Sequence, residues 1–332
     1  MEMPTSALTG ITLKDMFDAG LHFGHQTKRW NPKMKGYIFD KRNGIHIIDL
    51  TQSVALLDDA AGFLKDTIIA GKKILFVATK KQVAEFTKAT AESVEQFYMT
   101  ERWLGGTLTN AKTIRSSVKR MRQLQSIAKQ NGGQLSEHKQ ENSMLRRELA
   151  KLEKNLTGVA DMAELPGALV VVDVVREQNA VNEAVRLGIP VVAIVDTNAD
   201  PEPIEYVVPG NDDSVRGVEL ILGGFAKVIK DANAEYSAKA AEESRKREAE
   251  RAQRDATEKA ARAERKAKSL AGEKRAPRAT KKPTVSADVK AAARAAKEAA
   301  ETKAKADLAA KRQAAVVEAE AAVKAAEPAA QA

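Results

Sequence analysis

The chain has 332 residues, with 54 Lys and Arg against 45 Asp and Glu for a formal net charge of +9, and it contains no cysteine. Without thiols it has no disulfide, thiol nucleophile or thiolate metal site, and a pI near 9.4 suits an acidic partner. No apolar run approaches the roughly 20 residues of a membrane helix, and Met1 to Gly10 lacks the basic and apolar blocks of a signal peptide, so a cytoplasmic protein is the expectation.

Thr12 to Ala19 reads as a short helix stopped at Gly20. Tyr37 to Phe39 and Ile45 to Leu50 read as strands around an Asn43-Gly44 turn. Thr51 then caps a helix whose apolar face is Val54, Leu57, Ala61, Leu64 and Ile68, ending at Gly71. Lys73 to Thr79 is a continuous apolar strand, as in a sheet covered on both faces. A helix from Gln82 to Ser93 and a strand at Phe97 to Met99 follow.

From Thr109 to Leu156 the pattern changes. Ile114, Val118 and Met121, then Leu145, Leu149, Leu152 and Leu156, keep coiled-coil spacing around a break at Asn131-Gly132-Gly133, with Ser136 as cap of the second helix. An antiparallel helical hairpin is expected there, and its thin seam needs a partner to lean on. The strand-helix rhythm then resumes: Ala168 to Val174, a helix from Glu177 to Leu187, Pro190 to Val195, Tyr206 to Val208, and a helix from Asp213 to Lys230. Such alternation predicts an α/β fold, a parallel sheet sandwiched by helices. After Asp231 the chain is Ala, Lys, Glu and Arg with almost nothing to bury, which predicts a disordered or transiently helical C-terminal tail. The expected organisation is therefore 1–108 and 157–230 as two parts of one α/β domain, 109–156 as the inserted hairpin and 231–332 as the tail.

Charge is segregated. From Asp231 onward there are 24 Lys and Arg against 17 Asp and Glu, which leaves only +2 on the first 230 residues. Within these, Lys28 to Arg42 has six cations against Asp40 alone, and Ala111 to Gln130 has six cations and no acid. Asp161 to Glu219 reverses this, with twelve acids against Arg176, Arg186 and Arg216.

Two segments mix cations, an indole, amides, hydroxyls and glycines: His22 to Lys35 and Arg102 to Asn110. That mixture suits a surface that grips phosphates and stacks on bases, and neither segment pairs a nucleophile with a base. Lys112, Arg115, Lys119 and Arg122 recur at helical spacing and extend the basic surface. His22 and His25 lack the further ligands that zinc needs, so no metal site is expected. Asp196 to Asp200 begins like a calcium loop, but Pro201 and Val207 stand where such a loop needs glycine and glutamate. There is no phosphate-cradling or dinucleotide glycine loop. Asp173 and Asp196 fall at strand ends, where a magnesium-dependent phosphohydrolase would place carboxylates, although capping of turns explains both more simply. A free RNA- or DNA-binding protein is a second rival.

The segments His22 to Lys35 and Arg102 to Asn110, with Leu165-Pro166-Gly167-Ala168 through Glu183-Ala184, Leu187-Gly188-Ile189-Pro190 through Asp196-Thr197-Asn198, Asp200-Pro201 and Pro209-Gly210-Asn211-Asp212-Asp213, resemble the bacterial small ribosomal subunit protein two family. The resemblance runs over residues 10 to 230. It implies a flavodoxin-like sheet domain with a protruding coiled-coil hairpin. It also implies a structural, non-catalytic place in translation, in the small subunit between head and body, against small-subunit rRNA. Ribosomal protein one, docked on this family, would be a partner among neighbouring small-subunit proteins. Carried over by motif, the rRNA-facing residues are His22, His25, Gln26, Lys28, Arg29, Trp30, Asn31, Lys33 and Lys35, then Arg102, Trp103, Gly105, Gly106, Thr109 and Asn110. Arg42 and the cations Lys112, Arg115, Lys119 and Arg122 join them on the residues' own reading. Ala111 stands where the family often has an aromatic, and Pro203 where glycine is usual. No cofactor, membrane or small-molecule substrate is expected.

Overall fold

In this computed structural model, which describes residues 4–273, α1 spans Leu13–Asp18, β1 Phe23–Gln26, β2 Ile38–Arg42, β3 Ile45–Ile48 and α2 Leu50–Ile69. Then come β4 Ile74–Val77, α3 Lys81–Ser93, β5 Phe97–Met99, α4 Ala111–Gln130, α5 Lys139–Leu156 and β6 Ala168–Val172. The chain continues with α6 Gln178–Leu187, β7 Val191–Val195, β8 Tyr206–Pro209 and α7 Val215–Glu273. Two units divide the chain, Met1–Ala252 and Gln253–Ala332, and both sheets belong to the first.

The five-stranded sheet is parallel throughout, in the order β5-β4-β6-β7-β8, as expected of an α/β fold. Every residue of β4, β6 and β7 is buried, so these strands carry Val, Ile and Leu on both faces rather than alternating with polar residues. Alternate side chains enter two separate apolar clusters. Ile74, Phe76, Val170 and Ile194 meet α2 and α7 through Leu57, Leu64, Phe225 and Ile229. Leu75, Val77, Val171 and Val195 meet Met34, Trp103, Val118 and Val181 on the other face. Helices thus cover both faces, and no described helix is long and apolar enough to cross a membrane.

A second, antiparallel sheet in the order β1-β3-β2 adds a strand that periodicity did not mark. β1 is Phe-Gly-His-Gln, with no apolar alternation, and its place is set by pairing with β3 and not by its own composition. Other expectations shift at their ends. Asp49, not Thr51, caps α2, its carboxylate accepting the Thr51 N–H at 3.0 Å. Ser136 stands outside α5, whose N-cap is His138 without a side-chain bond. The β6 strand stops at Val172 because Asp173 adopts a left-handed φ of 66°.

Helices α4 and α5 pack on each other and are tied by Arg120 to Glu148 at 3.0 Å and Gln125 to Glu153 at 2.8 Å. The last helix outruns its expected end at Lys230 and continues to Glu273. Ala232 is still buried there, and the Ala-rich stretch beyond has high helix propensity. Of the expected tail, residues 274–332 lie outside the described residues.

Candidate nucleic-acid interface

The His22–Lys35 segment is anchored at both ends. Met34 is fully buried, and Thr197, just past β7, takes the His25 N–H on its hydroxyl at 2.9 Å and the Asn31 N–H on its carbonyl at 2.8 Å. Gly24 permits this approach: a Cβ there would lie 2.6 Å from Thr197 Cγ2 and 3.2 Å from the His46 carbonyl. The Asn31 side chain accepts the Lys33 N–H at 3.0 Å and starts a 3-10 turn with Pro32 at its first position. Trp30 is half-buried and tilts against His46 at 5.2 Å.

The side chains of this segment divide into committed and free. The His22 ring stacks on Phe17 at 4.2 Å and meets Phe23 at 3.9 Å, and burial pushes its pKa below the ordinary value. His25 turns elsewhere, with Nδ1 2.9 Å from the buried Asp196 carboxylate and Nε2 3.8 Å from Asp213. The hydrogen bond to Asp196 raises its pKa, so His25 faces acids rather than an open surface. Lys33 is bound to Asp200 at 2.8 Å and to Glu202, and Arg42 lies 3.9 Å from Asp40. Lys28, Arg29 and Lys35 are exposed and make no hydrogen bond or ion pair among the described residues, and Gln26 is exposed beside them.

The Arg102–Asn110 segment is organised around Glu183 of α6. Its carboxylate accepts Trp103 Nε1–H at 3.0 Å, the N–H groups of Gly106 at 2.8 Å, Leu108 at 3.0 Å and Thr109 at 3.1 Å, and the Thr109 hydroxyl at 3.1 Å. Burial opposes the charge, but the donors from Trp103, Thr109, Gly106 and Leu108 outweigh it and hold the carboxyl below its ordinary range. Glu183 turns two parts of this segment inward. Trp103 is only 8% exposed and packs in the same apolar cluster as Met34, so its indole offers no open face for a base. The Gly106 and Thr109 N–H groups point inward to Glu183 and are closed to a phosphate. Gly106 has φ 86°, which suits glycine, and Gly105 and Asn110 stay at the surface with Arg102.

Lys112, Arg115, Lys119 and Arg122 are all exposed along α4. Arg115 donates to the Ala163 carbonyl, and Arg122 to the Ala160 carbonyl at 2.9 Å and to Asp161. Lys112 and Lys119 are uncommitted among the described residues. Arg115, Lys119 and Arg122 rim a groove of about 670 Å³ floored by Ile114, Val118, Val159 and Met162.

At the carboxyl ends of β4 and β6, where strand order reverses, the crevice is filled by the protein itself. Glu177 accepts the Thr79 N–H at 3.0 Å and its hydroxyl, and Arg176 Nε donates to Thr79 Oγ1 at 2.9 Å. Asp173 accepts the Arg176 N–H at 3.0 Å, and Asp196 accepts the Thr197 N–H and hydroxyl, so both aspartates cap turns. One departure from the expected lack of a metal site is geometric: His25, Asp212 and Asp213 each place a ligand atom within 4.8 Å of the others.

Motif reading passed over Thr197 as an anchor and Glu183 as an organiser. The signal for Glu183 was present: a lone acid between Val181 and Ala184 on the inner side of a short helix, where a charge needs partners.

The description of ribosomal protein S2 matches residues 16–235. A protein described as small ribosomal subunit protein uS2 from Solibacter usitatus is 48% identical over 236 residues, covering 71% of this chain and 77% of its own. Its counterpart in Corynebacterium urealyticum is 47% identical over 237 residues, 70% of this chain and 88% of that one. The one in Synechocystis is 47% identical over 219 residues, with 66% and 81% covered. The match runs through both anchored segments, the five-stranded sheet and α6, so the chain belongs to the ribosomal protein S2 family and has a structural role in the small ribosomal subunit.

Proposed function

We propose that the protein binds small-subunit rRNA through the two anchored segments and the α4 lysines, and that it works in the cytoplasm as part of the assembled subunit. One observation carries this reading. Among the described residues Lys28, Arg29, Lys35, Arg102, Lys112 and Lys119 are exposed and unpaired, while the buried Met34 and Trp103 share one apolar cluster. Uncommitted cations on a fixed frame suit a folded RNA backbone, which is recognised by shape and charge. Trp30 and Asn110 supply a partly open ring and an amide, one in each segment. The α4–α5 pair acts as a projecting hairpin arm of the α/β domain. The exposed acids Glu164 and Glu205, within the acidic stretch from Asp161 to Glu219, are left for protein neighbours, ribosomal protein one among them, and the basic tail adds charge. The self-filled crevice at Thr79, Arg176 and Glu177 leaves the phosphohydrolase reading without support.

Sucrose-gradient sedimentation of cell extract tests the proposal. The protein should travel with small subunits and resist a moderate salt wash, and crosslinks should join the named lysines to small-subunit rRNA. Absence from the subunit fraction ends it.

A further inference from the structure

Beside a surface that binds a polyanion, a carboxylate is a liability unless its charge is used. Glu183 has no cationic partner among the described residues, and it lies half-buried under the Arg102–Asn110 segment. Among the described residues its charge is met by five donors from Trp103, Gly106, Leu108 and Thr109. Three of these are backbone N–H groups within four residues of a segment that has no strand or helix of its own. Charge-assisted bonds to one carboxylate therefore replace the ladder that a regular element would supply.

From this geometry we infer that Glu183 is a positioning residue for rRNA recognition: it acts through the 102–110 segment and keeps backbone N–H groups that would otherwise grip any phosphate turned inward. This rests on the rRNA reading and adds to it. Arg102 and Lys112 flank the segment and remain exposed, so the carboxylate decides how far apart and in which direction the two charges stand. Without Glu183, the freed Gly106, Leu108 and Thr109 N–H groups would seek other acceptors, and RNA phosphates are the obvious ones. Loss of Glu183 should then cost selectivity for the correct RNA surface more than affinity for RNA in general. A residue that only supported the fold would lose both together.

The test uses the full chain as wild type and as Glu183→Gln, which keeps length and shape but removes the charge and turns a donor toward donors. Amide hydrogen exchange is read first, on the free protein. Exchange at Gly106, Leu108 and Thr109 should quicken about tenfold or more while amides of β4, β6 and β7 stay as protected as in wild type. Binding is then compared on small subunits depleted of this protein and on an unrelated RNA hairpin. Glu183→Gln should bind depleted subunits about tenfold more weakly, and the unrelated hairpin within about twofold of wild type. Trp103→Phe removes one donor and keeps an aromatic ring, so it supplies a milder variant that should shift the same amides in the same direction. Unchanged exchange at the three amides overturns the inference, as does an equal loss of binding to both RNAs. A wild-type protein that does not prefer depleted subunits over the hairpin overturns the rRNA reading instead, because the exchange data still report whether Glu183 holds the segment.

Discussion

Thr197 and His25, 172 residues apart in sequence, are joined by a 2.9 Å hydrogen bond from the His25 backbone N–H to the Thr197 hydroxyl. The bond ties the first basic segment to the carboxyl end of β7. It also gives Gly24 its meaning, because the Thr197 side chain is fully buried and already committed to the His25 N–H and to Asp196. A methyl group at Gly24 would sit 2.6 Å from Thr197 Cγ2. Gly24→Ala should therefore destabilise the protein by about 1–3 kcal/mol, read as a drop of several degrees in Tm. An unchanged Tm would show that Thr197 can move aside.

Trp103→Ala and Arg102→Ala should separate cleanly. Trp103 is buried in the second core cluster, so its truncation should cost about 3–5 kcal/mol of stability. Arg102 is exposed and unpaired among the described residues, so Arg102→Ala should leave Tm within about a degree and weaken subunit incorporation. Thermal unfolding paired with gradient sedimentation checks both. A stable Trp103→Ala protein that fails only in incorporation would restore the indole as an RNA contact.

The four α4 cations should fall into two pairs. Lys112 and Lys119 have no partner among the described residues, and removing both should lower the slope of log K against log salt by about 1 to 2 without altering the melt. Arg115 and Arg122 bond the carbonyls of Ala163 and Ala160, and their removal should loosen that segment and lower Tm. Equal effects of both pairs on the salt slope would mean that the arginines leave their carbonyls when RNA binds.

Acidity should act through the cluster around His25. Burial, then the charges of Asp173 and Asp196, push the Asp212 carboxyl from 3.8 up to about 6, against the pull of Lys80. Between those two values the folded protein keeps a proton that the unfolded chain has released. Stability from this group therefore falls as pH rises through that window, and the penalty is full above about 6. His25, raised by Asp196, works in the same direction, since its contribution is complete below 6.5 and is lost as pH rises through its folded value. Asp212→Asn should stabilise the protein by about 1–3 kcal/mol at pH 7.5 and by nothing at pH 4. Denaturant unfolding at the two pH values measures this, and a variant weaker than wild type at pH 7.5 would contradict it.

The residues themselves made much of this legible. Val-rich segments at Ala168–Val172 and Val191–Val195 can only be interior strands, and the i, i+3, i+4 spacing of Val54, Leu57, Ala61, Leu64 and Ile68 can only cover them. Less legible was any feature whose cause lies elsewhere in the chain. The β1 strand has no period of its own, and the cap of α2 moved two residues because the Asp49 carboxylate accepts the Thr51 N–H and starts the helix at Leu50.

Sequence by itself determined the parallel sheet, its covering helices, the segregation of charge and the two segments rich in cations and indoles, because periodicity and composition are local properties. Tertiary structure decided which of those residues are free to meet RNA. It buried Trp103, paired Lys33 with Asp200, turned His25 to Asp196 and left Lys28, Arg29, Lys35, Arg102, Lys112 and Lys119 open. A side chain's availability depends on which distant acceptor reaches it first, and for the second segment that acceptor is Glu183, brought in by packing from more than 70 residues away.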